Sequence, residues 1–120
     1  MAKEKGTHIL VELWGCPPKL LDDITFMRKL FKKSCKVSGL KSLWMKFHKF
    51  QPQGLTGIAL LATSHISIHS WPEYSYATLD IYACDKKEKV VKAVEVFIQE
   101  LKPKRVKKKT LRRGFVVTNL

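Results

Sequence analysis

A chain of 120 residues with 45% hydrophobic content is expected to form one compact domain, burying roughly two thirds of its unfolded surface and leaving little room for a second. No apolar run approaches the ~20 residues that cross a bilayer. The start MAKEKGTHILVELW also lacks the apolar stretch and cleavage site of a secretory signal, so a soluble, cytoplasmic protein with no membrane partner is expected. The net charge of +13 invites a nucleic-acid reading, but Lys-rich chains are common among heat-adapted proteins, and a lysine run is ordinarily a solvated face.

In chain order, Thr7 to Trp14 reads as a strand, and Pro17 with Pro18 suits the first turn of a helix, where a missing backbone donor does no harm. Leu20, Ile24, Met27 and Phe31 recur at helical spacing, with Leu21 and Leu30 widening the stripe, until Ser38-Gly39 supplies a stop. Leu43 to Phe50 and Leu55 to Thr63 are strand candidates separated by the turn composition Gln51-Pro52-Gln53-Gly54. Ile66 to Trp71 and Tyr76 to Cys84 repeat the arrangement around Pro72. Asp85 with Glu88 predicts a capping box, followed by an amphipathic helix through Val90, Val91, Val94, Phe97, Ile98 and Leu101. The basic segment Lys104 to Val117 reads as one or two strands, with Gly114 as a turn or bulge. This order predicts an α+β two-layer sandwich, an antiparallel β-sheet with two helices packed on one face.

The reactive side chains gather in the middle, in Thr63-Ser64-His65-Ile66-Ser67-Ile68-His69-Ser70-Trp71-Pro72-Glu73-Tyr74. Strand alternation puts His65, Ser67 and His69 on one face and Ile66 and Ile68 on the other. A turn centred near Glu73-Tyr74 pairs residues whose numbers sum to about 147, which sets Cys84 across from Thr63 and Ser64. A thiol, a hydroxyl and nearby imidazoles are then expected at one end of a hairpin, and these groups attack carbonyls and move protons. A metal site of His65, His69, Cys84 and Glu73 is the rival reading. In a strand, however, four residues span about 13 Å, whereas zinc ligands lie about 2 Å from the ion, so no metal is expected. Cys16, Cys35 and Cys84 are odd in number without metal-type spacing, which argues against a disulfide framework.

Ser64-His65, then Trp71-Pro72-Glu73-Tyr74, then Cys84 resemble the hallmark of the small bacterial and archaeal S-adenosylmethionine decarboxylases. Gly6-Thr7-His8, and Phe47-His48-Lys49-Phe50 with Pro52, Gly54 and Gly57, resemble further segments of that family in order and spacing. The resemblance implies self-cleavage at Thr63-Ser64 into 1–63 (β chain) and 64–120 (α chain), with Ser64 becoming a covalent pyruvoyl group. That group would form a Schiff base with S-adenosylmethionine and release carbon dioxide, yielding the aminopropyl donor for spermidine synthesis. It further implies that Thr56 assists the attack, His69 is the processing base and Cys84 is the proton donor. Phe50 and Trp71 would hold the adenine and Glu73 the ribose, in a homodimer whose protomers share their active sites.

Three positions depart from the family pattern. Thr63 stands where Glu is usual, and its β-branched side chain crowds the carbonyl that Ser64 must attack, so slow or condition-dependent cleavage is expected. Ser75 and Asp85 each stand where Gly is common. Relatives of the same fold decarboxylate arginine or ornithine, and a non-cleaving, basic nucleic-acid-binding relative is a further alternative. Phe50, Trp71 and Glu73 favour a nucleoside over a guanidinium side chain, and the charge alone does not make nucleic acid an expected partner.

Overall fold

The computed structural model describes residues 5–120. The alternation in the first segment produces β1 (Gly6–Trp14), with Thr7, Ile9, Val11 and Leu13 buried and the intervening side chains on the opposite face. The expected single helix is divided into α1 (Pro18–Leu21) and α2 (Ile24–Ser38). The division follows from two aspartates whose carboxylates are used elsewhere. Asp23 caps α2 by accepting from the Phe26 N–H at 2.9 Å. Asp22 accepts from the Gly54 N–H at 2.8 Å and pairs with Lys49 Nζ at 2.9 Å, which together hold its carboxyl below the usual range. Gly39 ends α2 in the left-handed conformation, φ +83°.

The remaining elements are β2 (Ser42–Lys49), β3 (Leu55–Leu61), β4 (Ser64–Trp71), a single 3₁₀ turn (Pro72–Tyr74), β5 (Tyr76–Ala83), α3 (Lys87–Leu101) and β6 (Arg105–Arg113). The expected strand to Thr63 stops at Leu61 because Leu61 pairs with Ser64, leaving Ala62 and Thr63 as a tight hairpin turn. The capping box at Asp85 and Glu88 does not form: α3 starts at Lys87, so Asp85 lies one position too early to cap it. Asp85 instead accepts from the Lys86 N–H at 2.8 Å and pairs with Lys89 at 3.4 Å. The basic segment is one strand that ends at Arg113, just before Gly114 with φ +80°.

All pairings are antiparallel, and the sheet order is β2-β3-β4-β5-β1-β6. The β4–β5 register is the expected one, with Ser64 opposite Ala83, His65 opposite Tyr82 and Ser67 opposite Asp80. Helices α2 and α3 cover one face, where Phe31 packs edge-on against Phe47 at 4.9 Å and Phe97 at 5.2 Å. Met27, Leu30, Val90 and Val94 complete the contact with Ile66, Ile68, Leu79 and Ile81. Burying these side chains supplies the main stabilisation, about 1.5–3 kcal/mol for each large one. The architecture is the predicted α+β sandwich. Among the described residues, no helix covers the other face of the sheet, and none is long and apolar enough to cross a membrane.

Candidate active site

The expected site residues fall into two groups at opposite ends of β4. At its start, Thr63, Ser64 and Cys84 meet as the hairpin register requires. The Cys84 N–H donates to the Thr63 carbonyl oxygen at 2.9 Å, so the carbonyl preceding Ser64 faces a fixed donor. Ser64 is half-buried with φ +156°, one of three non-glycine residues with positive φ among those described. Thr63 Oγ1 is buried with no hydrogen-bond partner, alone in this among the described side chains. A buried hydroxyl without a partner costs about 1–3 kcal/mol. Cys84 is exposed, and its thiol lies 3.8 Å from the Tyr82 hydroxyl, a contact that holds the Tyr82 phenol above its ordinary range.

The second group lies at the far end of β3 and β4. Thr56 Oγ1 is 3.1 Å from His69 Nδ1, directly across the two strands. Phe50, Thr56, His69, Trp71 and Glu73 line a cavity of about 380 Å³ together with the Gln51–Gly54 turn. One face of Trp71 is already covered by Tyr76, with ring centroids 5.5 Å apart. The cavity is shaped by Ser70, which donates to the Leu21 carbonyl at 2.7 Å and accepts from the Leu55 N–H at 3.0 Å, tying α1 to the sheet. A flat apolar ligand with a polar rim suits such a cavity.

The expectation of a thiol, a hydroxyl and nearby imidazoles at one end of the hairpin holds for only one of the two β4 histidines. His65, Ser67 and His69 do share the open face, but His69 lies five residues along β4 from Ser64, a distance of about 16 Å in an extended strand. Only His65 stays with Ser64, its Nδ1 at 3.3 Å from Ser64 Oγ.

Sequence reasoning missed a network beside Ser64. Asp80 Oδ2 accepts from His8 Nε2 at 2.8 Å and from His65 Nε2 at 3.0 Å, while the Ser67 hydroxyl donates to Oδ1. Arg113 donates to His8 Nδ1 at 3.0 Å and stacks over Tyr82 at 4.6 Å. Burial by itself would raise the Asp80 carboxyl, but the bonds from Ser67, His65 and His8 outweigh it and hold it below the usual range. One signal was available: the sum of 147 already pairs Asp80 with Ser67. The pairing of β1 with β5, which brings in His8, had none. His8, His65 and Asp80 lie close enough to form a three-ligand set, but each of these groups is already engaged in the network, with a guanidinium at its edge. A further depression of about 420 Å³ on the open face is lined by Leu10, Glu12, Asp80, Lys107 and Lys109 among others.

Known proteins resemble this chain over nearly its whole length. The family described as "S-adenosylmethionine decarboxylase" matches residues 7–114. A protein of Persephonella marina named S-adenosylmethionine decarboxylase proenzyme is 46% identical over 116 residues, covering 97% of this chain and 87% of its own. A protein of the same name from Methanococcus maripaludis is 41% identical over 117 residues, covering 95% of this chain and 93% of its own. The crystal structure of the adenosylmethionine decarboxylase from Aquifex aeolicus superposes with a TM-score of 0.92 at 39% identity, covering 99% of this chain and 98% of that one. Family match and fold together are those of a carboxy-lyase. Within that class, the chain belongs to the S-adenosylmethionine decarboxylase family.

Proposed function

We propose that this chain is an S-adenosylmethionine decarboxylase proenzyme, a single domain that cuts itself between Thr63 and Ser64 into 1–63 (β chain) and 64–120 (α chain). The observation that carries the reading is the 2.9 Å bond from the Cys84 N–H to the Thr63 carbonyl oxygen. As Ser64 Oγ adds to that carbonyl, the developing oxyanion has a donor already in place. The C–N bond breaks, the hydroxyl proton passes to the freed amine, and an ester links Thr63 to Ser64. Removal of the Ser64 α-proton then expels the Thr63 carboxylate, and water displaces ammonia to leave a pyruvoyl terminus.

The site fits that group, because residue 64 starts a strand on an open face and the turn before it holds an unpartnered hydroxyl. The pyruvoyl group supplies an electron sink for decarboxylation, the task that pyridoxal phosphate performs in other enzymes. Cys84, exposed beside residue 64, delivers the proton that replaces carbon dioxide on the substrate. Phe50 and Trp71 stack on the adenine and Glu73 takes the ribose hydroxyls, all on the rim of one cavity.

Two protomers are needed to build one site. The Ser64–Cys84 end and the Thr56–His69 end are about 16 Å apart on the same strands. A twofold, face-to-face pairing of open sheets brings one protomer's end against the other end of its partner. Leu10, Ile58, Leu60 and Trp71 are exposed on that face, an apolar surface that such a homodimer would cover. Within the shared site, Thr56 assists the attack and His69 removes the α-proton.

The product is an aminopropyl donor for spermidine synthesis. Three free cysteines suit a reducing cytoplasm. Arginine or ornithine decarboxylation and a non-cleaving nucleic-acid role are not favoured, since the relatives named above all carry the adenosylmethionine name. Intact-mass analysis before and after warming, with Ser64→Ala as control, tests the cleavage. Carbon dioxide release from carboxyl-labelled S-adenosylmethionine tests the activity. A folded chain that yields neither a ketone-bearing 64–120 fragment nor carbon dioxide would overturn the proposal.

A further inference from the structure

We infer that His65 is the base for the first step of self-cleavage, taking the Ser64 hydroxyl proton, and that Asp80 holds it in the working tautomer. The inference rests on cleavage at Thr63-Ser64 as proposed above and assigns a step that His69, about 16 Å away along the strand, cannot serve in the same protomer.

The hydrogen-bond chemistry leaves little freedom. The Arg113 guanidinium is only a donor, so His8 Nδ1 accepts from it at 3.0 Å and His8 Nε2–H donates to Asp80 at 2.8 Å. Asp80, ionised because its carboxyl is held low, is only an acceptor, so His65 Nε2–H donates to it at 3.0 Å. The other nitrogen of neutral His65, Nδ1, is then unprotonated and lies 3.3 Å from Ser64 Oγ. Successive residues in a strand ordinarily face opposite ways. Ser64 departs from that rule at φ +156°, and its hydroxyl lies alongside the next ring.

A hydroxyl, an imidazole and a half-buried carboxylate in series form the arrangement that activates serine nucleophiles elsewhere. The step balances within the chain. The proton leaves Ser64 Oγ for His65 Nδ1 as Oγ bonds to the Thr63 carbon, then passes to the Ser64 nitrogen as the C–N bond breaks, and His65 is restored. Asp80 acts only through His65, and His8 and Ser67 act only through Asp80, so all three are positioning residues. Labour is divided between two histidines: His65 works on the O–H bond and the partner's His69 on the Cα–H bond.

The test separates the two steps by trapping the ester with hydroxylamine, which cleaves esters but not peptides. His69→Ala is expected to accumulate hydroxylamine-labile chain. His65→Ala should form ester about 100-fold more slowly, the usual worth of a general base, and added imidazole should restore part of the rate. A folded His65→Ala protein that forms ester at the wild-type rate overturns the inference. The second measurement needs no cleavage: in Ser64→Ala protein, nitrogen NMR should find neutral His65 protonated at Nε2, and protonation at Nδ1 would overturn the assignment. If the wild-type chain forms no ester at all, it is the parent reading that fails.

Discussion

Thr56 and His69 face each other across β3 and β4 at 3.1 Å, at the opposite end of the sheet from Ser64. In the proposed homodimer, a complete site draws its halves from different protomers. Co-expressed Ser64→Ala and His69→Ala chains should complement: each mixed dimer regains one whole site, in which the His69→Ala chain is cut. Mass spectrometry of the mixture should show that fragment, while each variant alone stays intact. Absence of cleavage in a verified mixed dimer would rule out shared sites.

Cys84 contributes a backbone N–H to the Thr63 carbonyl and a side-chain thiol to the solvent-facing end of the site. Cys84→Ala keeps the first and removes the second. Cleavage should continue within about threefold of wild type, while carbon dioxide release falls about 100-fold, the scale of a lost proton donor. Equal losses in both reactions would contradict this division.

Asp80 is bound more favourably as a carboxylate in the folded chain than in the unfolded one. Its contribution to stability is therefore present above its unfolded pKa of about 4 and is lost as pH falls through the depressed folded value. Asp22 and Asp85 are depressed as well. The urea midpoint should drop between pH 6 and pH 3, and Asp80→Asn should shrink that drop without abolishing it. An unchanged drop in Asp80→Asn would show that the network does not stabilise the ionised carboxylate.

Ser70 is 5% exposed and bonds at once to Leu21 and Leu55. Ser70→Ala leaves a buried carbonyl and a buried N–H without partners, at a cost of about 2–3 kcal/mol. Chemical denaturation should show it, and binding of the adenosyl ligand should weaken because α1 and the turn beside the cavity lose their tie.

Thr63 buries an unpartnered hydroxyl, and its β-branched side chain is expected to crowd the carbonyl that the proposed cleavage attacks. Thr63→Ala removes both burdens, so its cleavage should be several-fold faster than wild type in a timed intact-mass series. A slower Thr63→Ala chain would mean that the threonine aids cleavage.

Local pattern carried much of the fold. Isoleucines alternating with polar residues determined which face His65, Ser67 and His69 share, and the turn after Trp71 set the β4–β5 register that puts Cys84 beside Thr63. Where side chains had competing partners, local rules failed. Asp22 and Asp23 interrupted a continuous apolar stripe because one binds the Gly54 turn and the other caps α2. Asp85 looked like a cap but lies one residue before the N-cap position of α3.

The sequence by itself determined the succession of strands, the β4–β5 hairpin register and the resemblance, since local pattern and motif spacing carry each of them. Tertiary structure alone decided that β1 enters the sheet between β5 and β6, which brings His8 and Arg113 to Asp80 and the serine. The reason is physical: a turn and an alternating pattern specify neighbouring strands, whereas long-range pairing is chosen by which buried faces fit together, and no local signal encodes that choice.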